Sequence, residues 1–169
     1  VSIPHRSTGR TRTPRAALGA ALLLAAVAGC AMTESDASPA APSPSGKAAT
    51  VCRGLHDALP GKVEGEEHST DATDSPYTAA WGDPAIELRC GVDRPAKLTP
   101  GTEEYNPTSE AAEVNGVSWL IEEQDEGYRF TTTDRAAYVE VTVPEAYAPE
   151  IGALTDLAAS VRAEVPRTR

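Results

Sequence analysis

Few residues in this chain could do chemistry, and their spacing decides among them. Beyond position 30, His56 and His68 are the only histidines and Cys52 and Cys90 the only cysteines. Cys52 and His56 stand four apart, the separation that puts two side chains on one helix face, and could pair as metal ligands or as a thiolate with its base. Zinc needs further ligands at tight spacing, and they are missing. Two cysteines in an exported domain read instead as a Cys52–Cys90 disulfide. The run Glu64-Gly65-Glu66-Glu67-His68, with Asp71 or Asp74, could hold a hard cation weakly, but such runs are usually solvated charge. Glu122 to Glu126 lacks the oxygen spacing of a calcium loop. Ser118, in Gly116-Val117-Ser118-Trp119-Leu120, lacks the second glycine of a nucleophile elbow and falls on a strand. There is no phosphate-cradling glycine loop and no dinucleotide fingerprint. The expectation is therefore a non-catalytic domain with no metal and no cofactor, with a small enzyme acting on envelope material or an apolar-ligand carrier as the alternatives.

Binding needs fewer tools than catalysis. Trp81, Trp119, Tyr128 and Tyr138 could stack on a sugar ring, with Asp83 and Arg89 as hydrogen-bonding neighbours. Against this, both tryptophans could be core, Asp83 could serve the turn before Pro84, and Arg89 could pair with a carboxylate on the outer sheet face. If one surface is used, Tyr138, Glu140 and Thr142, on the outward side of one strand, together with Arg89, suit a polar envelope ligand or a protein.

The elements that must position these residues follow from periodicity. Cys52, Leu55 and Leu59 lie at helical spacing from about Ala48 until Pro60-Gly61 stops the run. Lys62 to His68 has weak strand character, and Ser69 to Pro76 is a polar loop. Tyr77 to Gly82, a Gly82-Asp83-Pro84 turn, and the alternating Ile86, Leu88, Cys90 and Val92 predict a hairpin. Asp93 to Ser109 reads as loop. Asn115-Gly116 suits a two-residue turn that needs positive φ, and Asp125-Glu126-Gly127 marks another. Ala137, Val139, Val141 and Val143 line one face of the clearest strand, with Tyr138, Glu140 and Thr142 on the other, until Pro144. A closing helix from about Glu150 to Glu164 carries Ile151, Leu154, Ala158, Val161 and Val165 on one stripe. These elements predict an α+β domain: one antiparallel sheet of five or six strands with an N-terminal and a C-terminal helix packed on it.

The first 29 residues are of another kind. Arg6, Arg10, Arg12 and Arg15 precede an apolar run of thirteen residues, Ala16 to Ala28, with no acidic residue among them. Thirteen residues at ~1.5 Å each fall short of a hydrocarbon core of about 30 Å, so the run reads as an export signal over 1–29 rather than a transmembrane helix. Val27-Ala28-Gly29-Cys30 resembles the lipobox of bacterial lipoproteins. That resemblance implies cleavage before Cys30, a lipid on its thiol, and residence on the outer face of the cell membrane. Residues 30–47, with Pro39, Pro42 and Pro44 among small polar residues, read as a disordered tether, and 48–169 as a single globular domain. With the four arginines gone, 11 basic residues face 25 acidic ones, a net −14. Such a surface repels nucleic acid and anionic headgroups, so membrane contact must come through the lipid.

Trp81-Gly82-Asp83-Pro84, Leu88-Arg89-Cys90-Gly91-Val92 and Asn115-Gly116-Val117-Ser118-Trp119 together resemble an actinobacterial family of small secreted lipoproteins. Its domain is of unknown function. The resemblance covers about Cys52 to Val161 and implies a place in the cell envelope but no activity. If Cys30 carries the lipid, Cys30→Ala is expected to abolish incorporation of labelled palmitate and to block processing or release the protein from the membrane; label still entering the variant would exclude Cys30 as the site.

Overall fold

The computed structural model describes residues 40–70 and 74–168. The export signal, Cys30, the greater part of the tether and Asp71 lie outside the described residues. In chain order the elements are α1 (Gly46–Asp57), β1 (Lys62–Val63), β2 (Glu66–Glu67), β3 (Thr78–Trp81), β4 (Ile86–Val92), β5 (Ala111–Val114), β6 (Val117–Gln124), β7 (Gly127–Thr132), β8 (Tyr138–Pro144) and α2 (Ile151–Glu164). β3 to β8 form one antiparallel sheet in the order β3-β4-β8-β7-β6-β5, and β1 and β2 a separate small hairpin. This is the expected α+β class, with six strands in the main sheet.

Local chemistry explains the turns. Asn115 and Gly116 take φ of 48° and 82° and close the β5–β6 hairpin from Val114 to Val117, as a type I′ turn requires of both central residues. Asp125 and Glu126 link Gln124 to its partner Gly127. Gly127 itself, at φ 137°, lies so close to the Val143 carbonyl that a side chain there would collide with it. The hairpin expected around Gly82-Asp83-Pro84 is the β3–β4 pair, with Trp81 opposite Ile86.

Period-2 alternation then fixes which face is dry. Ile86, Leu88 and Cys90 of β4, Val139, Val141 and Val143 of β8, Phe130 of β7 and Trp119 of β6 are all buried and share one cluster with Cys52 and Leu55 of α1. From α2 the same cluster takes Ala153, Leu154, Leu157, Ala158 and Val161. Each large aliphatic side chain buried this way contributes about 1.5–3 kcal/mol. The stripe differs from expectation at one end. Ile151 is 41% exposed, because it opens the helix at the flank of a stripe centred on Leu154, and Leu157 fills the central position.

Two other boundaries move. α1 begins at Gly46, after extended Ser45, rather than at Ala48, and ends at Asp57, so Leu59 packs on the core from outside the helix. The last residues of the expected tether are also laid against the sheet: the Ala40 carbonyl accepts a hydrogen bond from Arg89 Nε at 3.0 Å. The ring of Pro44 occupies the space beside Gly91 where a Cβ would otherwise stand. Proline favours an extended chain, and Gly91 leaves it room.

Cys52 and Cys90 are bonded, with Cα atoms 5.5 Å apart and a sequence separation of 38. The bond ties α1 to the middle of β4. In the chain-entropy view a loop of that length contributes about 4 kcal/mol, comparable to the whole net stability of a marginal domain. Replacing either cysteine with serine is expected to lower unfolding stability by about 2–5 kcal/mol in denaturant titration. A loss below about 1 kcal/mol would show that packing of α1 alone holds that side of the core.

Candidate binding face

The helices cover one face of the sheet; the other carries polar residues in register. Across four strands run Glu87, Thr142, Arg129 and Glu122, each opposite the next. Two residues along each strand lies a second row, Thr78, Arg89, Glu140, Thr131, Leu120 and Ala111, spanning all six strands. Directly opposed side chains in an antiparallel pair interact most strongly, so these rows are the units of charge pairing.

In the second row Arg89 Nη1 donates to Glu140 Oε1 at 3.0 Å, and the two side chains are 33% and 14% exposed. In the first, Arg129 Nε stands 3.3 Å from Glu122 Oε2, and Lys97, from the loop after β4, stands 3.6 Å from Oε1. The Glu122 side chain is only 8% exposed. A carboxylate that far from water needs its cations, and it has two. Glu87 differs: half-buried, it forms no direct ion pair among the described residues. Burial pushes its carboxyl pKa above the ordinary value; nearby Arg89 pulls it down and Glu140 pushes it up.

All four residues expected to form a binding surface lie on this face. Arg89, Glu140 and Thr142 sit in the two rows, and Tyr138 pairs with Val92 beyond the bulge at the end of β4. None is fully open to solvent; each is half-buried. Arg89 pairs with a carboxylate on the outer sheet face, one of the two roles its sequence position allows, and that changes its use as a probe, since removing it would strand Glu140.

The aromatic platform is corrected more strongly. Trp81 and Trp119 are 0% exposed and so cannot stack on a sugar. Trp81 donates from Nε1 to the Pro60 carbonyl at 3.1 Å and meets His68 edge-on at 5.3 Å. Tyr128 lies on the helix-covered face, stacked on Phe130 at 6.0 Å. Of the four aromatics only Tyr138 remains on the polar face. His68 is packed rather than poised: burial, and then the charge of His56, lower its pKa. Among the described residues no three of His, Cys, Asp and Glu come together as metal ligands.

Glu122, Arg129 and Lys97 are not singled out by sequence pattern as members of this face. Glu122 opens an acidic run, Glu122 to Glu126, whose composition gives no sign of which members are buried. The signal available was its parity: it falls two residues after Leu120 on β6, so it shares a face with a leucine that must itself be covered. Lys97 came from a loop with no period to place it.

Against known proteins, the model of a family described as "Protein of unknown function (DUF3515)" matches residues 14–169. No curated protein and no solved structure matches the chain significantly.

Glu87 offers a test of how dry this face is. Its folded pKa lies above the unfolded one, so the folded state holds the proton more tightly. The stability this contributes is fully present below about 4.5 and is lost as the pH rises through the raised folded value. Glu87→Gln should therefore flatten that part of the melting-temperature profile and raise the midpoint at pH 7 relative to the parent. An unchanged profile would mean that the carboxylate is solvated.

Proposed function

The chain belongs to the DUF3515 family of proteins of unknown function, and from that premise we propose that it is a non-catalytic binding domain whose helix-free sheet face meets a polar envelope component or another protein. A lipid on Cys30 would hold it at the outer face of the cell membrane. The observation that carries the binding reading is the ordered charge on that face. Arg89 with Glu140, and Arg129 with Glu122, are set in register on adjacent strands, and Lys97 reaches Glu122 from the loop after β4, so their geometry is established before any partner arrives. Preorganised groups lose less entropy when they are engaged. Tyr138, beside this array, adds an aromatic plate with low side-chain entropy, suited to a contact that is apolar on its ring and polar at its hydroxyl.

The compartment is supported by two independent features. The Cys52–Cys90 bond fits an oxidising environment. The family match covers residues 14–169 and so includes the whole apolar run and Cys30 itself. No helix among the described residues is long and apolar enough to cross a membrane. The acidic balance disfavours nucleic acid as the partner.

A photo-crosslinking residue placed at Tyr138 should give an adduct on intact cells, whereas the same residue at Ile151, exposed on α2, should not. Ile151 is the control because it is accessible and belongs to the opposite side of the sheet. Adducts from position 151 alone would place the contact surface on the helices and overturn the reading.

A further inference from the structure

The loop that supplies Lys97 also roofs a depression of about 340 Å³. It lies at the β5–β6 end of the sheet, between residues 94–109 and the side chains of Ala111, Leu120 and Thr133. Its volume is at the lower end of the range for small-molecule sites. The roof is braced from within. Thr102 Oγ1 donates to the carbonyls of Ala96 and Thr99 at 2.7 and 2.8 Å, and Asn106 N to the Lys97 carbonyl at 3.0 Å. Ser109 Oγ donates to the Asn106 carbonyl at 2.8 Å. The Glu110 carbonyl accepts from Ile121 N at 2.9 Å, which fastens the roof to β6. Segments 95–99 and 106–109 are thus held in place without a ligand.

The chemistry of the lining runs against that of the chain. In a protein with 25 acidic and 15 basic residues, this depression is lined by two cations, Arg94 and Lys97, and by no carboxylate. Glu103, Glu104 and Glu110 of the same loop are exposed and do not line it. Its free polar groups are largely donors. Arg94 commits Nε to the Leu98 carbonyl at 3.0 Å, which orients the guanidinium and leaves its two terminal nitrogens. Lys97 is 3.6 Å from Glu122, beyond hydrogen-bond length, and Glu122 is shared with Arg129. Asn106 uses its Oδ1 on the backbone and hydroxyl of Thr108, so its NH2 group is left to donate. Beside these donors lie Leu98, Leu120 and the ring of Tyr105, which is 41% exposed.

We propose that this depression binds a small organic anion, with a carboxylate or phosphate head held by Arg94, Lys97 and Asn106, and a ring or short apolar body against Tyr105, Leu98 and Leu120. Arginine's planar fork suits both heads. The site shares Lys97 with the charged array of the proposed binding face, but it does not involve Tyr138, Arg89 or Glu140, so either reading can fail without the other.

The test is a titration of the purified full chain, followed by amide chemical shifts, with benzoate, phenyl phosphate, inorganic phosphate and benzyl alcohol as probes. Benzoate or phenyl phosphate should shift residues 94–111, Leu120 and Thr133 saturably, and whichever binds tighter identifies the head. Benzyl alcohol, lacking the charge, should bind at least about tenfold more weakly, the scale of one lost charge-assisted contact, and inorganic phosphate, lacking the body, should bind about tenfold more weakly through the lost burial of the ring. Arg94→Gln should weaken the aromatic anion by about the same factor at an unchanged melting temperature, and Tyr105→Ala should remove its advantage over inorganic phosphate. Equal binding of benzyl alcohol, no saturation by either aromatic anion, or shifts centred on Arg89 and Glu140 would overturn the proposal.

Discussion

The fold depends on the seam between β4 and β8. These strands are the only neighbours in the main sheet that are not consecutive in sequence, and their pairing joins the β3–β4 hairpin to the β5–β8 meander. It brings together residues about fifty positions apart, such as Arg89 with Glu140 and Leu88 with Val141. Forming it means closing a long loop, whose entropy grows slowly with length but must be met before the contacts form. Each side of the seam is reinforced differently. On the helix side, Leu88 and Cys90 meet Val139 and Val141 in the core, and Cys90 is bonded to α1. On the other, the Arg89–Glu140 pair bridges the strands.

Those two reinforcements follow from one fact of strand geometry. Successive side chains point to opposite faces, so a strand that gives alternate residues to a dry core gives the rest to whatever lies beyond. For β4 and β8 both sets are half or fully buried, and the outward set includes Glu87, Arg89 and Glu140. In a strongly acidic chain, two carboxylates buried on this face draw cations: Glu140 has Arg89, and Glu122 has Arg129 and Lys97, while half-buried Glu87 has no direct ion pair among the described residues and holds its proton more tightly instead. Leaving either paired carboxylate alone would cost far more than an exposed ion pair gains.

The helix-covered half of the molecule was legible in the sequence, because the hydrophobic signal there is periodic and strong. Alternation along Ile86 to Val92 and Ala137 to Val143 placed β4 and β8 with their correct faces, Asn115-Gly116 placed a hairpin, and the two cysteines their bond. What could not be read was whatever a second layer decides. Glu122 resembles any solvated glutamate until Lys97 arrives from a loop without periodicity. Trp81, Trp119 and Tyr128 look like a binding platform until register puts them under the helices. Ala40 and Pro44 look like tether because nothing in a Pro/Ala/Ser run reveals that Arg89 and Gly91 will receive it. These outcomes belong to tertiary contact, and local pattern carries no record of them.

The helix-free face is therefore not one surface but two ends with different chemistry. At the β4–β8 end, Arg89 is already engaged by Glu140 and by the Ala40 carbonyl, so a partner there meets a charge-balanced array whose fixed geometry, with Tyr138 beside it, is what it can use. At the β5–β6 end, Arg94 and Lys97 face a depression with no carboxylate in its lining, so charge there is unbalanced in favour of an anion. The two are separated by Glu122 and Arg129, whose mutual pairing keeps the field of one end from being simply continuous with the other. In a chain whose overall charge repels anions at long range, an anion can be held only where local cations are close and the competing carboxylates point away. Among the described residues the roof over Leu120 and Thr133 meets that condition.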